Sequence, residues 1–186
     1  ALQNLPVIFC LDRAGLVGED GATHHGVFDI AYLRAIPNMI IYAPINEIAL
    51  QNILYTAQLG LNQPLAIRYP RGRGVLPNWK VENFGHYELI EIGKGNCLKK
   101  GTKIAVLSTG TIGNNVIEAL NELDNPETIA HYDFPFIKPL DFNLLESILS
   151  SFKCIITIED GTGNGGFGSA ILDFAAANNF NNEIKV

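Results

Sequence analysis

The sequence predicts an α/β protein made of two units, each built on a largely parallel β-sheet. Short apolar runs alternate with segments of helical periodicity along the 186 residues, as in proteins whose parallel strands are joined by helices. Between two such series, residues 70–85 contain two prolines and three glycines and show no periodicity. We therefore expect a first unit at 1–71, a linker at 72–86 and a second unit at 87–186.

Three strands and two helices are predicted in the first unit. The strands lie at 5–11, 38–43 and 65–69, and the helices at 27–36 and 46–60. Pro37 ends the first helix, because the residue before a proline disfavours helical geometry, and Asn46 caps the second. The run LPVIFCL at 5–11 predicts a buried strand.

The second unit repeats this alternation. Its predicted strands lie at 87–92, 103–109, 127–133 and 153–159, and its predicted helices at 113–123, 142–152 and 167–179. The final residues, NNEIKV, have the pattern of a strand that is beginning. Since core elements stand at both ends of the sequence, we expect it to be a piece of a longer protein.

Composition excludes several classes of protein. The net charge of −6 argues against a general nucleic-acid binder, which needs a basic surface. No apolar run approaches the roughly 18 residues of a membrane span. Cys10, Cys97 and Cys154 are far apart and show no metal-binding spacing, which favours a reduced, cytoplasmic setting. Charged residues make up only 17%, which suggests that part of the surface is covered by a partner or another domain.

The long loop at 12–26 is the main candidate for function, because ligands of parallel sheets bind beyond the carboxyl ends of strands. Its ionisable side chains are those of Asp12, Arg13, Glu19, Asp20, His24 and His25. Histidine transfers protons near neutral pH, and arginine binds phosphate or carboxylate through paired hydrogen bonds. Arg68 and Arg71 follow the third strand. If that strand is a parallel neighbour of the first, Arg13 and these two arginines gather into an anion pocket.

Simpler interpretations of these residues remain open. Arg13 can be interpreted as an ordinary ion-pair partner of Asp12, Glu19 or Asp20. The two histidines can be interpreted as exposed loop residues. A metal site is chemically possible with the set Glu19, Asp20, His24 and His25. Nothing else in the sequence supports it. Arg73 is interpreted as a solvated charge of the linker.

Two glycine-rich segments also require an interpretation. Residues 161–166, GTGNGG, match the dinucleotide-binding pattern G-x-G-x-x-G between a predicted strand and a predicted helix. Glu159 and Asp160 stand at the end of that strand, where they would repel a pyrophosphate, so a tight turn is favoured. The segment 108–113, STGTIG, is similarly either an anion-binding turn or a simple connection.

Several longer strings together resemble one enzyme family. These are DRAG at 12–15, DGATHHGVFD at 20–29, YLRAIPNM at 32–39, RYPRG at 68–72 and KPLD at 138–141. They resemble the 1-deoxy-D-xylulose-5-phosphate synthases, which are transketolase-like thiamin diphosphate enzymes. The resemblance extends over nearly the whole chain.

The resemblance implies the later part of a pyrimidine-binding domain followed by most of a C-terminal domain. The family condenses pyruvate with D-glyceraldehyde 3-phosphate, releases CO2 and supplies isoprenoid, thiamin and pyridoxal biosynthesis. It is homodimeric and uses thiamin diphosphate and Mg²⁺, which other parts of the enzyme bind. We therefore expect no cofactor-binding or metal-binding residue here, and no activity from these residues alone.

The same resemblance assigns roles to residues of the loop and of the third strand. Arg13 and Arg71 correspond to the arginines that hold the phosphate of the aldehyde. Asp20 corresponds to the residue that binds the hydroxyl groups of the acceptor aldehyde. His24 corresponds to the histidine near the reacting carbonyl. Arg68 is a weaker substrate-binding candidate with a structural alternative.

Other functions remain alternatives. One is another transketolase-like enzyme, either a transketolase or a 2-oxoacid dehydrogenase β component. Another is a dimerisation module without chemistry, and a third is a dinucleotide-binding domain built on GTGNGG.

Overall fold

The computed structural model describes residues 1–79 and 85–186, which form two β-sheets flanked by helices. The first sheet has the order β1-β3-β2-β7 and consists of β1 (Ile8–Leu11), β2 (Ile40–Tyr42), β3 (Leu65–Arg68) and β7 (Phe136–Lys138). Its first three strands are parallel, and β7 is antiparallel to β2. Helices α1 (Asp29–Arg34) and α2 (Glu47–Gln58) connect the parallel strands.

The second sheet has the order β4-β6-β5-β8-β9. Its strands are β4 (Asn96–Lys99), β5 (Ile104–Ser108), β6 (Ile129–Asp133), β8 (Cys154–Ile158) and β9 (Glu183–Lys185). All neighbours are parallel except β4, which is antiparallel to β6. The helices are α3 (Ile112–Asn121), α4 (Phe142–Ser151) and α5 (Phe167–Ala177). The predicted class, two α/β units rich in parallel sheet, is confirmed.

Side-chain caps fix two helix starts at the expected places. Asn46 accepts a hydrogen bond from the amide of Ala49 at 2.9 Å, as the sequence predicts. Asp141, the last residue of KPLD, accepts one from the amide of Leu144 at 3.0 Å and so begins α4. The first helix ends at Arg34, shortly before Pro37.

The prediction of a strand at 87–92 is wrong. The strand that precedes β5 in the sequence is β4, at Asn96–Lys99. Side chains of α2 take the hydrogen bonds that a neighbouring strand would have provided. The amide of Glu88 donates to Asn52 Oδ1 at 3.2 Å, and that of Ile90 to Thr56 Oγ1 at 2.9 Å. Of the predicted linker 72–86, residues 80–84 lie outside the described part of the chain.

The prediction that 5–11 forms a buried strand is wrong in its burial. Strand β1 is at the edge of the first sheet, and its side chains from Ile8 to Cys10 are exposed. Among the described strands it pairs with β3 alone. An apolar run predicts a strand, but whether a face is covered depends on what packs against it.

One hydrophobic core connects the two units. Strand β7 belongs to the second unit in sequence yet completes the first sheet beside β2. Residues of both units share the same buried cluster, among them Ile41, Ala66, Leu107, Phe134 and Phe167. This packing places the loop after β8 against the carboxyl edge of the first sheet.

A buried carboxyl group on β6 predicts a pH-dependent stability. Burial raises the pKa of Asp133 to about 7, although a hydrogen bond from Asn96 opposes the shift. The unfolded chain loses this proton near the ordinary carboxyl pKa, whereas the folded chain retains it. Stability contributed by the protonated form is therefore lost as the pH rises from about 4 to about 7. We expect the melting temperature of Asp133→Asn to increase relative to that of the unsubstituted chain as the pH rises from about 4 to about 7.

The exposed Asp124 provides a matched control, since Asp124→Asn also replaces a carboxyl group by an amide but at a site in contact with solvent. Burial also lowers the pKa of His131 to about 4, which gives a pH dependence of opposite sign. That contribution is common to variant and parent, so it cancels in the difference. Parallel melting profiles for Asp133→Asn and the parent would contradict the prediction.

Candidate functional site

The first sheet brings the candidate loop and the RYPRG segment to one edge. Strands β1 and β3 are parallel neighbours, with Leu11 opposite Arg68. Arg13 and Arg71 therefore leave the sheet on the same side, a few residues beyond the paired strand ends. The sequence-based expectation of a shared edge is confirmed.

A pair of backbone hydrogen bonds closes the base of the loop. The amide of Gly15 donates to the carbonyl of Gly26 at 2.9 Å, and the amide of Gly26 donates back at 3.0 Å. A Cβ atom at Gly26 would lie 2.2 Å from the carbonyl oxygen of Arg13, so only glycine allows this approach. The loop thus begins and ends at one fixed point beside β3.

His25 stabilises the interior of the loop. Its Nδ1 accepts a hydrogen bond from the amide of Val17 at 2.9 Å, which requires that nitrogen to be unprotonated. This contact spans eight residues and draws the two arms together. His25 therefore has a structural partner, in agreement with the preference for His24 as the reactive histidine.

Asp20 joins the two arginines at the centre of the site. Its Oδ2 lies 2.8 Å from Nε of Arg13 and 3.4 Å from Nε of Arg71. The hydrogen bond from Arg13 lowers the pKa of Asp20 below its usual range, partial burial opposes this, and Arg71 adds to it. Asp20 also raises the pKa of Arg13. The result is a carboxylate held between two permanently charged guanidinium groups.

The outer partners of the arginines are exposed acids. Arg13 pairs with Asp12 at 2.9 Å, as the simpler interpretation proposed, and Arg71 pairs with Glu19 at 3.0 Å. The side chain of Glu19 is 85% exposed and that of Asp12 is 61% exposed. Exposed ion pairs contribute little to stability, so an incoming anion can replace these acids at small cost.

His24 lies on the solvent side of the same cluster. It ends a single 3-10 turn, Ala22–His24, and is exposed. Its Nδ1 lies 3.2 Å from the carbonyl oxygen of Asp20 and 3.1 Å from the hydroxyl of Thr23. Both contacts involve Nδ1, so Nε2 is the ring atom available to exchange a proton with a ligand.

Arg68 differs from the other two arginines because it is only 2% exposed. Its guanidinium donates to Asp29 at 2.8 Å, to Asp160 at 2.6 Å and to the carbonyl of Gly26 at 3.1 Å. Burial acts to lower the pKa of Arg68, and the two carboxylates raise it above its ordinary value. This environment favours the structural alternative for Arg68, and a contact with substrate stays a prediction.

The GTGNGG segment forms the turn between β8 and α5. The carboxylate of Glu159 accepts hydrogen bonds from the amides of Phe167 and Gly168, both at 2.9 Å. A Cβ atom at Gly166 would lie 2.2 Å from the carbonyl oxygen of Thr162 and 2.4 Å from this carboxylate, so only glycine fits at this point of the turn. The protein's own acid occupies the position where a pyrophosphate would bind a helix N-terminus, which supports the interpretation as a turn.

The segment 108–113 also forms a connection. The amide of Gly113 donates to the carbonyl of Gly110 at 3.1 Å, which closes a turn before α3. The side chain of Asn114 then donates to the carbonyl of Ile45 at 2.7 Å, a contact between the two units. These bonds support the simpler interpretation of this segment.

A cavity of about 520 Å³ lies beside the cluster, between the end of β3 and the helices α2 and α3. Of the predicted site residues, Arg71 alone lines it. Arg13, Asp20 and His24 do not line this cavity.

Residues 1–79 and 85–186 contain no group of three or more histidine, cysteine, aspartate or glutamate side chains arranged to bind a metal ion. None of the helices in these ranges is long and apolar enough to cross a membrane. All three cysteines are free.

Comparison with known proteins identifies both halves of the chain. Residues 1–75 match the pyrimidine-binding domain of transketolase, and residues 93–185 match the transketolase C-terminal domain. The chain belongs to the transketolase family. The two matches correspond to the two units that share the core, and the candidate loop lies in the pyrimidine-binding domain.

Within this family, the chain is similar in sequence to curated 1-deoxy-D-xylulose-5-phosphate synthases. It is 54% identical over 187 residues to that of Bacteroides thetaiotaomicron, covering 100% of this chain and 28% of the relative. It is 51% identical over 186 residues to that of Parabacteroides distasonis, covering 100% of this chain and 29% of the relative. The resemblance inferred from the motifs is confirmed, and the chain spans less than a third of these relatives.

A solved transketolase structure supports the assignment of the chain to the transketolase family. A split gene transketolase, in an inactive beta4 tetramer, matches with a TM-score of 0.82 and 25% identity. The match covers 100% of this chain and 58% of that one. The arrangement of the two units is therefore shared with that transketolase.

The cap formed by Glu159 predicts a stability effect. Replacing Glu159 by Gln leaves one of the two amides at the start of α5 facing an NH₂ group. We expect Glu159→Gln to lower the free energy of unfolding by about 1–3 kcal/mol, the usual cost of losing a hydrogen bond to a charged group. Chemical denaturation measures this change, and NAD or NADP should not raise the melting temperature of the parent chain.

Glu146 is exposed on α4 and supplies the control, because Glu146→Gln should leave stability nearly unchanged. Equal stability of the Glu159 and Glu146 variants would show that the cap contributes nothing. A melting-temperature increase with NAD would restore the dinucleotide hypothesis.

Proposed function

We propose that this chain forms the acceptor-substrate side of a 1-deoxy-D-xylulose-5-phosphate synthase. That enzyme condenses pyruvate with D-glyceraldehyde 3-phosphate, with loss of CO2, at the first step of non-mevalonate isoprenoid synthesis. The observation that supports this most directly is the cluster in which Asp20 joins Arg13 and Arg71 beside His24. Identity of 54% to a curated synthase supports the same assignment.

The phosphate of the aldehyde binds between Arg13 and Arg71. Both guanidinium groups contact one carboxylate oxygen of Asp20, so they are close enough to serve one phosphate group together. Glu19 and Asp12 are exposed and move aside when the phosphate takes their hydrogen bonds. Bidentate hydrogen bonding by arginine then sets the orientation of the substrate.

Asp20 and His24 act nearer the reacting carbon. The carboxylate of Asp20 stays ionised because Arg13 lowers its pKa, so it accepts hydrogen bonds from the hydroxyl groups of the aldehyde. His24 presents Nε2 toward the aldehyde carbonyl. As the carbon–carbon bond forms, the carbonyl oxygen gains negative charge, and the imidazole supplies the proton that neutralises it.

Thiamin diphosphate and Mg²⁺ belong to this proposal through the family. The cofactor, when bound, supplies the nucleophilic carbon and the electron sink of the reaction. We assign no residue of this chain to the cofactor or to the metal. Its described residues bind, orient and protonate the acceptor.

The setting proposed for this chain is a cytoplasmic homodimer. The exposed apolar side chains of β1 and the low charge content fit a protein that buries more surface on assembly. A related solved chain, the split gene transketolase, is described as a tetramer.

Two alternatives remain testable. Another transketolase-like enzyme would use the same loop with a different acceptor, and analysis of the products distinguishes it. A dimerisation module without chemistry would keep its function after substitution of His24, whereas an enzyme would slow.

Removal of one phosphate-binding arginine predicts a substrate-specific defect. In a full-length synthase carrying this sequence, Arg71→Gln should raise the KM for glyceraldehyde 3-phosphate by about 10–100-fold, since charge-assisted hydrogen bonds are lost. Unphosphorylated glyceraldehyde should be used equally by variant and parent. Steady-state kinetics with both aldehydes measures the effect.

Arg73 is two residues away and interpreted as a solvated charge, so Arg73→Gln is the matched control. Its KM for the phosphorylated aldehyde should remain within about twofold of the parent value. Equal defects in both variants would show a loss of general positive charge, and equal defects with both aldehydes would remove the phosphate assignment.

The proposed proton transfer predicts a defect in turnover. His24→Ala in the full-length enzyme should slow aldehyde-dependent CO2 release from pyruvate by roughly 10²–10⁴-fold, the usual contribution of a general acid or base. Release is measured with and without glyceraldehyde 3-phosphate. A variant as fast as the parent would exclude His24 from catalysis. CO2 release by the parent that does not depend on glyceraldehyde 3-phosphate would contradict the proposed function.

A further inference from the structure

The C-terminal domain contacts the base of the acceptor loop through one carboxylate. Asp160 lies two residues after the end of β8, and its Oδ1 accepts a hydrogen bond from Arg68 at 2.6 Å. The same guanidinium donates to the carbonyl of Gly26 at 3.1 Å. One buried side chain therefore connects the C-terminal domain to the last residue of the loop.

Asp160 also touches the first arm of the loop. A Cβ atom at Gly15 would lie 2.8 Å from Asp160 Oδ2, so the glycine backbone rests directly on the carboxylate. Gly15 and Gly26 are the two residues whose mutual hydrogen bonds close the loop. Asp160 thus contacts one member of this pair directly and the other through Arg68.

The glycine-rich segment that follows Asp160 extends the contact. The amide of Thr162 donates to the carbonyl of Val27 at 2.9 Å, immediately after the loop. Arg34 of α1 donates to the carbonyls of Gly165 and Gly166 at 2.6 and 2.7 Å. GTGNGG is therefore the surface on which the end of the loop and α1 are docked.

Charge makes the contact specific. Arg68 is fully charged and almost fully buried, and its two carboxylate partners come from α1 and from the segment after β8. A buried charge that loses one partner has to find another or move toward water. Loss of the Asp160 charge would therefore reorient the guanidinium and release the Gly26 carbonyl.

We propose, on the basis of the function proposed above, that Asp160 is a positioning residue that acts through Arg68 to hold the acceptor loop. By this route the C-terminal domain sets the affinity for the phosphorylated aldehyde. Arg13 lies two residues before Gly15, and Asp20 and His24 lie between Gly15 and Gly26. A shift of the loop base moves all three relative to Arg71, which leaves β3 independently.

The test is Asp160→Asn in the full-length synthase, with the KM measured separately for each substrate. The KM for glyceraldehyde 3-phosphate should rise by about 10-fold or more, the usual effect of losing a charge-assisted hydrogen bond. The KM for pyruvate should change by less than about threefold, because the proposal assigns this loop to the aldehyde alone. A purely structural role would change both values together.

Asp173→Asn is the matched control. Asp173 pairs with Arg34 at 3.1 Å across the same interface, but it is exposed and does not touch the loop base. Its loss should leave both KM values unchanged. Equal KM values for the aldehyde in the Asp160 variant and the parent, or equal rises for both substrates, would overturn the proposal.

Hydrogen exchange of the unsubstituted enzyme tests the positioning without any substrate. The amides of Gly15 and Gly26 should open together with the amide of Thr162, with exchange rates that agree within about threefold, because one interface protects all three. Loop amides that exchange at least about tenfold faster than Thr162 would overturn the proposal even if the Asp160 variant does not fold. If the parent shows no aldehyde-dependent turnover, the proposed function fails, and this exchange comparison still decides whether Asp160 holds the loop.

Discussion

The buried guanidinium of Arg68 is the interaction on which the arrangement of the site depends. A charge removed from water must be matched by partners inside the protein, and here the partners come from three segments. Asp29 belongs to α1, Asp160 to the segment after β8, and the carbonyl of Gly26 to the loop. Because one side chain needs all three, the pyrimidine-binding domain, the C-terminal domain and the loop are held in one geometry.

The hydrophobic core makes that arrangement possible. Strand β7 extends the first sheet from within the second unit, so backbone hydrogen bonds as well as apolar contacts join the two units. The carboxyl end of β8 is consequently brought to the carboxyl edge of the first sheet. A long polar loop can then keep a defined shape although seven of its fifteen residues are exposed.

Carboxylates take the place of ligands at two points where the chain could have bound anions. Glu159 fills the N-terminus of α5, and Asp20 holds Arg13 and Arg71 together. The two cases differ in exposure and therefore in consequence. The amides capped by Glu159 are engaged within the fold, whereas the outer partners of Arg13 and Arg71 are exposed acids.

The sequence by itself determined the α/β class and most helices and strands, and it predicts that Arg13, Asp20, His24 and Arg71 belong to one site. Periodicity and local capping are properties of short segments, and the loop follows a recognisable strand. Only the tertiary structure decided that β1 is an exposed edge, that 87–92 is irregular and that β7 joins the first sheet. It also separated Arg68 from the other arginines and gave GTGNGG its role as a docking turn. The pairing of β7 with β2 and the contact of Arg68 with Asp160 join residues more than 90 positions apart in the sequence, and no local pattern encodes such contacts.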